Sequence, residues 1–227
     1  MARTITQQVG AFPAGNHSAI ALSQSATTTT FTLNGALASH GVATLTPPRR
    51  IVIVSTGNDS GINFVVTGTN WSGNPWGETI AGTSISTSGP SVLDYLTVTS
   101  ITATGTGVNA AAVAGTSISG TNSPVASSPY VFLDSYGFAS VSLQVNVSGA
   151  LQYTVESTQD NPNLTLPQTV VAPSAVVWFA HPVLVSATTT QQSSYTAQPN
   201  LVRLTFLTAA TTGYATFDVT QAGGSRG

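Results

Sequence analysis

The sequence predicts an all-β protein made of two β-sandwich domains, jelly-roll or immunoglobulin-like, with little or no helix. Three observations carry the prediction. Apolar residues recur at period two or in short runs rich in Val, Ile and Thr, as in strands. Clusters of Gly, Asn, Asp, Ser and Pro separate these runs at the spacing of turns. No segment sustains a helical period, and 227 residues suit two sandwiches of about 100 residues each.

Thr4–Val9 reads as a short strand or as an extended arm; an arm would reach another subunit, whereas a strand would stay in its own sheet. Ile20–Leu22 and Thr28–Leu33 alternate, and Asn34-Gly35 is a tight-turn pair. Gly41–Thr46 forms a strand stopped by Pro47-Pro48. The stretch Arg49–Thr104 organises the first half, with apolar runs at Ile51–Val54, Ile62–Thr67 and Val92–Thr102. Loops at Gly57–Gly61 and Asn70–Pro75 divide it into two successive hairpins, with Thr79–Ile85 returning and Gly89-Pro90 breaking the chain before the longest strand. Val108–Val113 closes the first sandwich. Ser117–Pro129 is the linker, and a boundary near Thr121 gives domains of residues 1–121 and 122–227.

In the second half, Tyr130–Leu133 restarts the strands. Ala139–Val147 alternates strictly, with Val141, Leu143, Val145 and Val147 on one face. Ser148-Gly149 turns it into Leu151–Glu156, a hairpin. A short helical turn is expected at Asn161–Leu166, and strands at Ala175–Phe179 and Pro182–Val185. Leu201–Leu207 and Tyr214–Val219 make a closing hairpin before a polar tail.

Charge is the most informative property. Only 5% of residues are charged, against about 25% in ordinary soluble domains, and none is lysine. The five arginines, Arg3, Arg49, Arg50, Arg203 and Arg226, are too scattered to displace counterions from a phosphate backbone, so no nucleic-acid partner is expected. A chain rich in strand formers and nearly free of charged gatekeepers must cover its sheet edges with its own loops or with other subunits. The composition favours subunits; the alternative is a Ser/Thr-rich domain made soluble by neutral side chains.

Arg49 and Arg50 read either as a solvated pair at a strand start or as an intersubunit contact to a carboxylate. Trp71 and Trp76 flank a turn; they either cover the hairpin core or form an aromatic contact tip, suited to an interface or a sugar ring. The chain has no cysteine, which excludes disulfides and thiolate metal sites. The histidines, His17, His40 and His181, read as loop or packing residues, and there is no G-x-S-x-G elbow. Asn58-Asp59 and Asp160-Asn161 offer too few carboxylates for calcium, and Glu78, Asp94, Glu156 and Asp160 read as structural or interfacial. No catalytic residue, metal or cofactor is expected. No apolar run spans a membrane, and the start MARTITQQVG lacks the apolar core of a secretory signal.

The segments Arg49–Asn70, Gly77–Ile80, Tyr95–Gly105, Val141–Gly149 and Gln152–Glu156 together resemble a family of tailed-bacteriophage virion proteins. The resemblance implies a non-enzymatic structural component. It points first to a head decoration, or cement, protein that binds the major capsid protein and copies of itself on the capsid exterior, after synthesis in the host cytoplasm. A tail or fibre component and a carbohydrate-binding adhesin using Trp71 and Trp76 are the alternatives.

Overall fold

The fold, a computed structural model, describes residues 3–25, 29–84, 88–106, 111–117, 124–134, 140–160, 162, 172–209 and 211–222. It is all-β, with antiparallel sheets and, among the described residues, a single 3-10 turn at Pro173–Ala175. The strands are β1 (Arg3–Gly10), β2 (Ala21–Ser25), β3 (Ala38–Ser39), β4 (Val42–Ser55), β5 (Ile62–Thr69), β6 (Pro75–Ala81), β7 (Ser88–Gly105) and β8 (Ala111–Thr116). They continue with β9 (Ala126–Ser127), β10 (Val131–Phe132), β11 (Val141–Ser148), β12 (Leu151–Thr158), β13 (Phe179–Ala180), β14 (Gln191–Tyr195), β15 (Leu201–Ala209) and β16 (Tyr214–Gln221). Most of the expected helical turn at 161–166, and the boundary at Thr121, lie outside the described residues.

The chain divides into two compact units, Ala14–Ala126 and Met1–Pro13 with Ser127–Gly227. In the first, strands run in the order β2-β8-β4-β7-β5-β6, with β3 added on β4. β5 buries Ile62, Phe64 and Val66 and turns Asn63, Val65 and Thr67 outward, because successive side chains of a strand point to opposite faces. Phe31 meets Phe64 edge-on, with ring centroids 5.8 Å apart. β5 and β6 form the expected hairpin. β4 and β5 do not: β7, 18 residues long, lies between them and pairs with both. Pro90, read as a chain break, sits near the start of β7 opposite Val52.

The second unit holds two sheets, β1-β16-β11-β14 and β10-β15-β12-β13. β1 pairs with β16 along its whole length, so the first residues form a strand of this chain's own sheet. Leu143, Val145, Phe217 and Val219 are buried from one sheet, Tyr153, Val155, Leu204 and Phe206 from the other, and Phe12 packs 5.2 Å from Phe206. The two expected hairpins are absent. β11 and β12 lie in different sheets, as do β15 and β16, so each connection crosses the sandwich. The crossings touch at glycines. A Cβ on Gly149 (φ +80°) would stand 2.9 Å from Gly213 Cα, and one on Gly213 would stand 2.7 Å from the Ala150 carbonyl. Only residues without a side chain let these two backbones pass so closely.

Candidate functional site

The charged residues mostly turn inward. Eleven of the twelve are described, all but Arg226. Six of those eleven are buried: Arg49, Arg50, Asp59, Glu78, Asp94 and Arg203. Two internal networks use four of these six: Arg50, Glu78 and Asp94 in one, Arg203 in the other.

The first lies at a bulge in the β4–β7 ladder. Arg50 pairs with Asp94 and Val52 with Pro90, so Ser91, Val92 and Leu93 stand opposite Ile51 alone. Side chains replace the lost ladder bonds. The Ile51 N–H donates to Ser91 Oγ at 2.9 Å, and that hydroxyl donates to the Leu93 carbonyl at 2.8 Å. The carboxylate of Glu78, on β6, accepts the Val92 N–H at 2.9 Å and the Leu93 N–H at 3.4 Å. Val92 is thereby turned out to solvent. Arg50 reaches Asp94 (4.0 Å) and the Ser91 carbonyl (3.4 Å). Burial raises the Glu78 carboxyl above its ordinary value, against the opposing pull of the Val92 and Leu93 N–H groups, Tyr95 and Arg50. Burial also pushes the Tyr95 hydroxyl far up, helped by the Glu78 and Asp94 carboxylates, so Tyr95 stays protonated.

Arg49 and Arg50, expected at the surface as a solvated or intersubunit pair, are 3% and 6% exposed. The reading is corrected: β4 is covered on both faces here, so the pair serves the interior. Burial lowers the proton affinity of Arg49. Glu78 and Asp94 stand with Arg50 in one sheet, and such pairing is how buried charges are made tolerable.

The second network lies on β12 and β15, on the face turned away from Tyr153 and Phe206. Glu156 Oε2 accepts from Arg203 Nε and Nη2 and from the Thr205 hydroxyl, each at 2.7 Å. The Arg203 guanidinium sits 4.0 Å from the Trp178 ring centre, and Trp178 stacks on Tyr130 at 5.2 Å. Trp178 was not singled out from the sequence; its role needs Arg203 and Tyr130 brought together from three separate segments.

Trp76 packs on the first unit's core, and Trp71 is half-buried beside its turn. Asn70 builds that turn, its Oδ1 accepting from the Ser72 and Asn74 N–H groups. Trp76 therefore covers the hairpin core, as one of its two expected roles required.

His181 is buried, and its Nε2 lies 3.2 Å from Ser193 Oγ, a nucleophile–base spacing. The ring's other contacts oppose that chemistry. Nδ1 accepts the Val183 and Leu184 N–H groups at 3.1 and 3.2 Å, so the ring proton sits on Nε2, which faces the Ser194 carbonyl at 3.3 Å. A base must present a bare nitrogen to its nucleophile. Here His181 ties the end of one sheet to β14 of the other. Asn58 Oδ1 is engaged in its own turn with the Ser60 N–H. Among the described residues no three His, Asp or Glu side chains gather as metal ligands would.

No family model matches the chain, and no curated protein does. Among solved structures it is weakly similar to the subviral particle of infectious bursal disease virus VP2, at 13% identity over 99% of this chain and 72% of that one, with a TM-score of 0.20. The Gt strain of the same virus gives 11% identity over the same shares and a TM-score of 0.18. Both are viral, but scores this low do not establish a shared fold.

Proposed function

We propose that this chain is a non-enzymatic structural component of a tailed-phage virion, a head decoration protein that binds the major capsid protein and further copies of itself on the outside of the shell. One observation carries the reading: the chain has few charges, and six of the eleven described ones are buried, leaving a described surface dominated by Thr, Ser, Asn, Gln and apolar side chains. Such a surface gives little electrostatic steering and little defence against association. It suits a protein held by many neutral contacts, each weak and repeated by symmetry. The sequence resemblance to virion proteins supplies the setting.

The test is cosedimentation of the purified chain with heads that lack it. Saturable binding is expected, together with a higher temperature for DNA release from decorated heads than from bare ones. Failure to pellet with the heads, at chain concentrations where it remains folded, would refute the reading.

A further inference from the structure

Asp59 belongs to neither charge network. The residue is 0% exposed, although Asn58, Ser60 and Gly61 around it are exposed. Both of its carboxylate oxygens are buried, and neither accepts a hydrogen bond. The described ion pairs, Arg50 with Asp94 and Arg203 with Glu156, do not include it. An ionised carboxylate taken out of water in this way carries a large desolvation penalty unless an opposite charge meets it.

The turn that holds Asp59 has spent its donors elsewhere. The Gly57 N–H goes to Ser55 Oγ and the Ser60 N–H to Asn58 Oδ1, each at 3.1 Å. The Asp59 N–H goes to the Thr83 carbonyl at 2.9 Å, the Ile62 N–H to the Asp59 carbonyl at 2.8 Å, and the Gly82 N–H to the Ile62 carbonyl at 2.8 Å. Carbonyl oxygens crowd the same stretch of chain. A Cβ on Gly82 would stand 2.1 Å from the Asp59 carbonyl oxygen and 2.8 Å from that of Ile62, and one on Gly105 would stand 2.4 Å from that of Gly61. A carbonyl oxygen has two lone pairs, and the backbone N–H groups bonded to Asp59 and Ile62 take one each. The turn is therefore rich in oxygen and poor in donors.

We propose that Asp59 anchors a site for a hard metal cation, held by its carboxylate, with backbone carbonyl oxygens of residues 59–62 completing the shell. The donor set selects the ligand: it is oxygen alone, which suits calcium or an ion of similar hardness and not a soft transition metal. A water molecule would satisfy hydrogen bonding there and leave the charge unmatched. The proposal departs from the sequence expectation of no metal, which counted carboxylates only. One carboxylate with neutral carbonyls places calcium at the weak end of its range, near millimolar. The turn joins β4 to β5 and bonds the segment after β6, so an ion here ties two connections of the first unit together. The site is independent of head binding, and its failure leaves that reading intact.

Thermal unfolding of the full chain tests it, in chelator-treated buffer with choline chloride holding ionic strength constant. Calcium chloride and sodium chloride are the two arms, and they distinguish a divalent from a monovalent occupant. With a dissociation constant of about 1 mM, about 20 mM calcium is expected to raise the wild-type midpoint by roughly 5 °C. Asp59→Asn keeps the shape and removes the charge. It is expected to respond to neither salt, and to melt above the wild type in their absence because nothing unmatched is buried. Titration calorimetry with calcium chloride and sodium-23 line broadening read binding on the folded wild-type chain, so the outcome does not depend on the variant folding. Saturable uptake of either ion near one per chain, with a midpoint shift that Asp59→Asn lacks, supports the site and names its occupant. A wild type that takes up neither ion overturns it, as does a variant that responds as strongly as the wild type.

Discussion

Glu78 shows how one side chain can hold a fold together and make it respond to pH. Its carboxylate replaces the ladder partners that the bulge removes from Val92 and Leu93, so Glu78→Ala leaves two N–H groups orphaned in a buried place. The expected loss is about 2 kcal/mol, read by urea unfolding. The pH dependence follows from linkage. Burial raises the folded-state proton affinity of Glu78 above its unfolded value. Its contribution to stability is therefore fully present below the ordinary glutamate range and is lost as pH rises through the raised folded value. Calorimetry of wild type and Glu78→Gln should show the wild type gaining relative to the variant as pH falls from neutral; a flat or opposite trend contradicts the assigned environment. Arg203 makes a second case. Arg203→Ala strands the Glu156 carboxylate and uncovers Trp178, at an expected cost of about 2–3 kcal/mol. Replacing both ends by apolar residues, Arg203→Met with Glu156→Leu, is expected to cost less than the single change, because no lone charge remains.

At the scale of the element, the strands were legible and their partners were not. The alternation of Val141, Leu143 and Val145 follows from period two, and the structure buries all three. The turn after them, Ser148-Gly149, carries the chemistry of a reversal, but a reversal between strands of one sheet and a crossing between two sheets require the same positive φ. What separates them lies far away in sequence: β16 and β14 take the two sides of β11 before β12 can. The same reason defeats the β4–β5 hairpin, where β7 intervenes. The inward turn of Arg50 was equally hidden, since it depends on Glu78 and Asp94 arriving from β6 and β7. The crossing makes a quantitative comparison. Gly149 and Gly73 have nearly equal φ, +80° and +78°, but a Cβ on Gly73 meets nothing within 4 Å. Gly73→Ala should cost about 1 kcal/mol, the backbone strain alone. Gly149→Ala adds a collision with Gly213 and should cost at least about 1 kcal/mol more, measured as the difference between the two denaturation midpoints.

For the whole molecule, the distribution of charge decides how it meets its surroundings. An interface held by salt bridges weakens as salt rises, because exposed pairs are screened once the Debye length falls to a few ångströms. This chain has little to screen. Arg49, Arg50, Asp59, Glu78, Asp94 and Arg203 lie inside, and the stretch between Asp160 and Arg203 has no charge at all. On the outer face of the β1-β16-β11-β14 sheet, neutral groups carry most of the lateral bonding, Gln192 donating to Gln144 and Gln144 to Asn146, while the Asp218 carboxylate accepts from Asn146 and Thr6. Contacts made by such a surface draw on apolar burial and neutral hydrogen bonds, and salts that are excluded from protein surfaces strengthen burial. Binding to heads is therefore expected to change less than about twofold between roughly 0.1 and 1 M sodium chloride, and to tighten in ammonium sulfate of equal ionic strength. Cosedimentation across the two salt series reads the outcome. Release of the chain by sodium chloride alone would place the binding energy in exposed ion pairs, which the burial of Arg49, Arg50 and Arg203 leaves few residues to make.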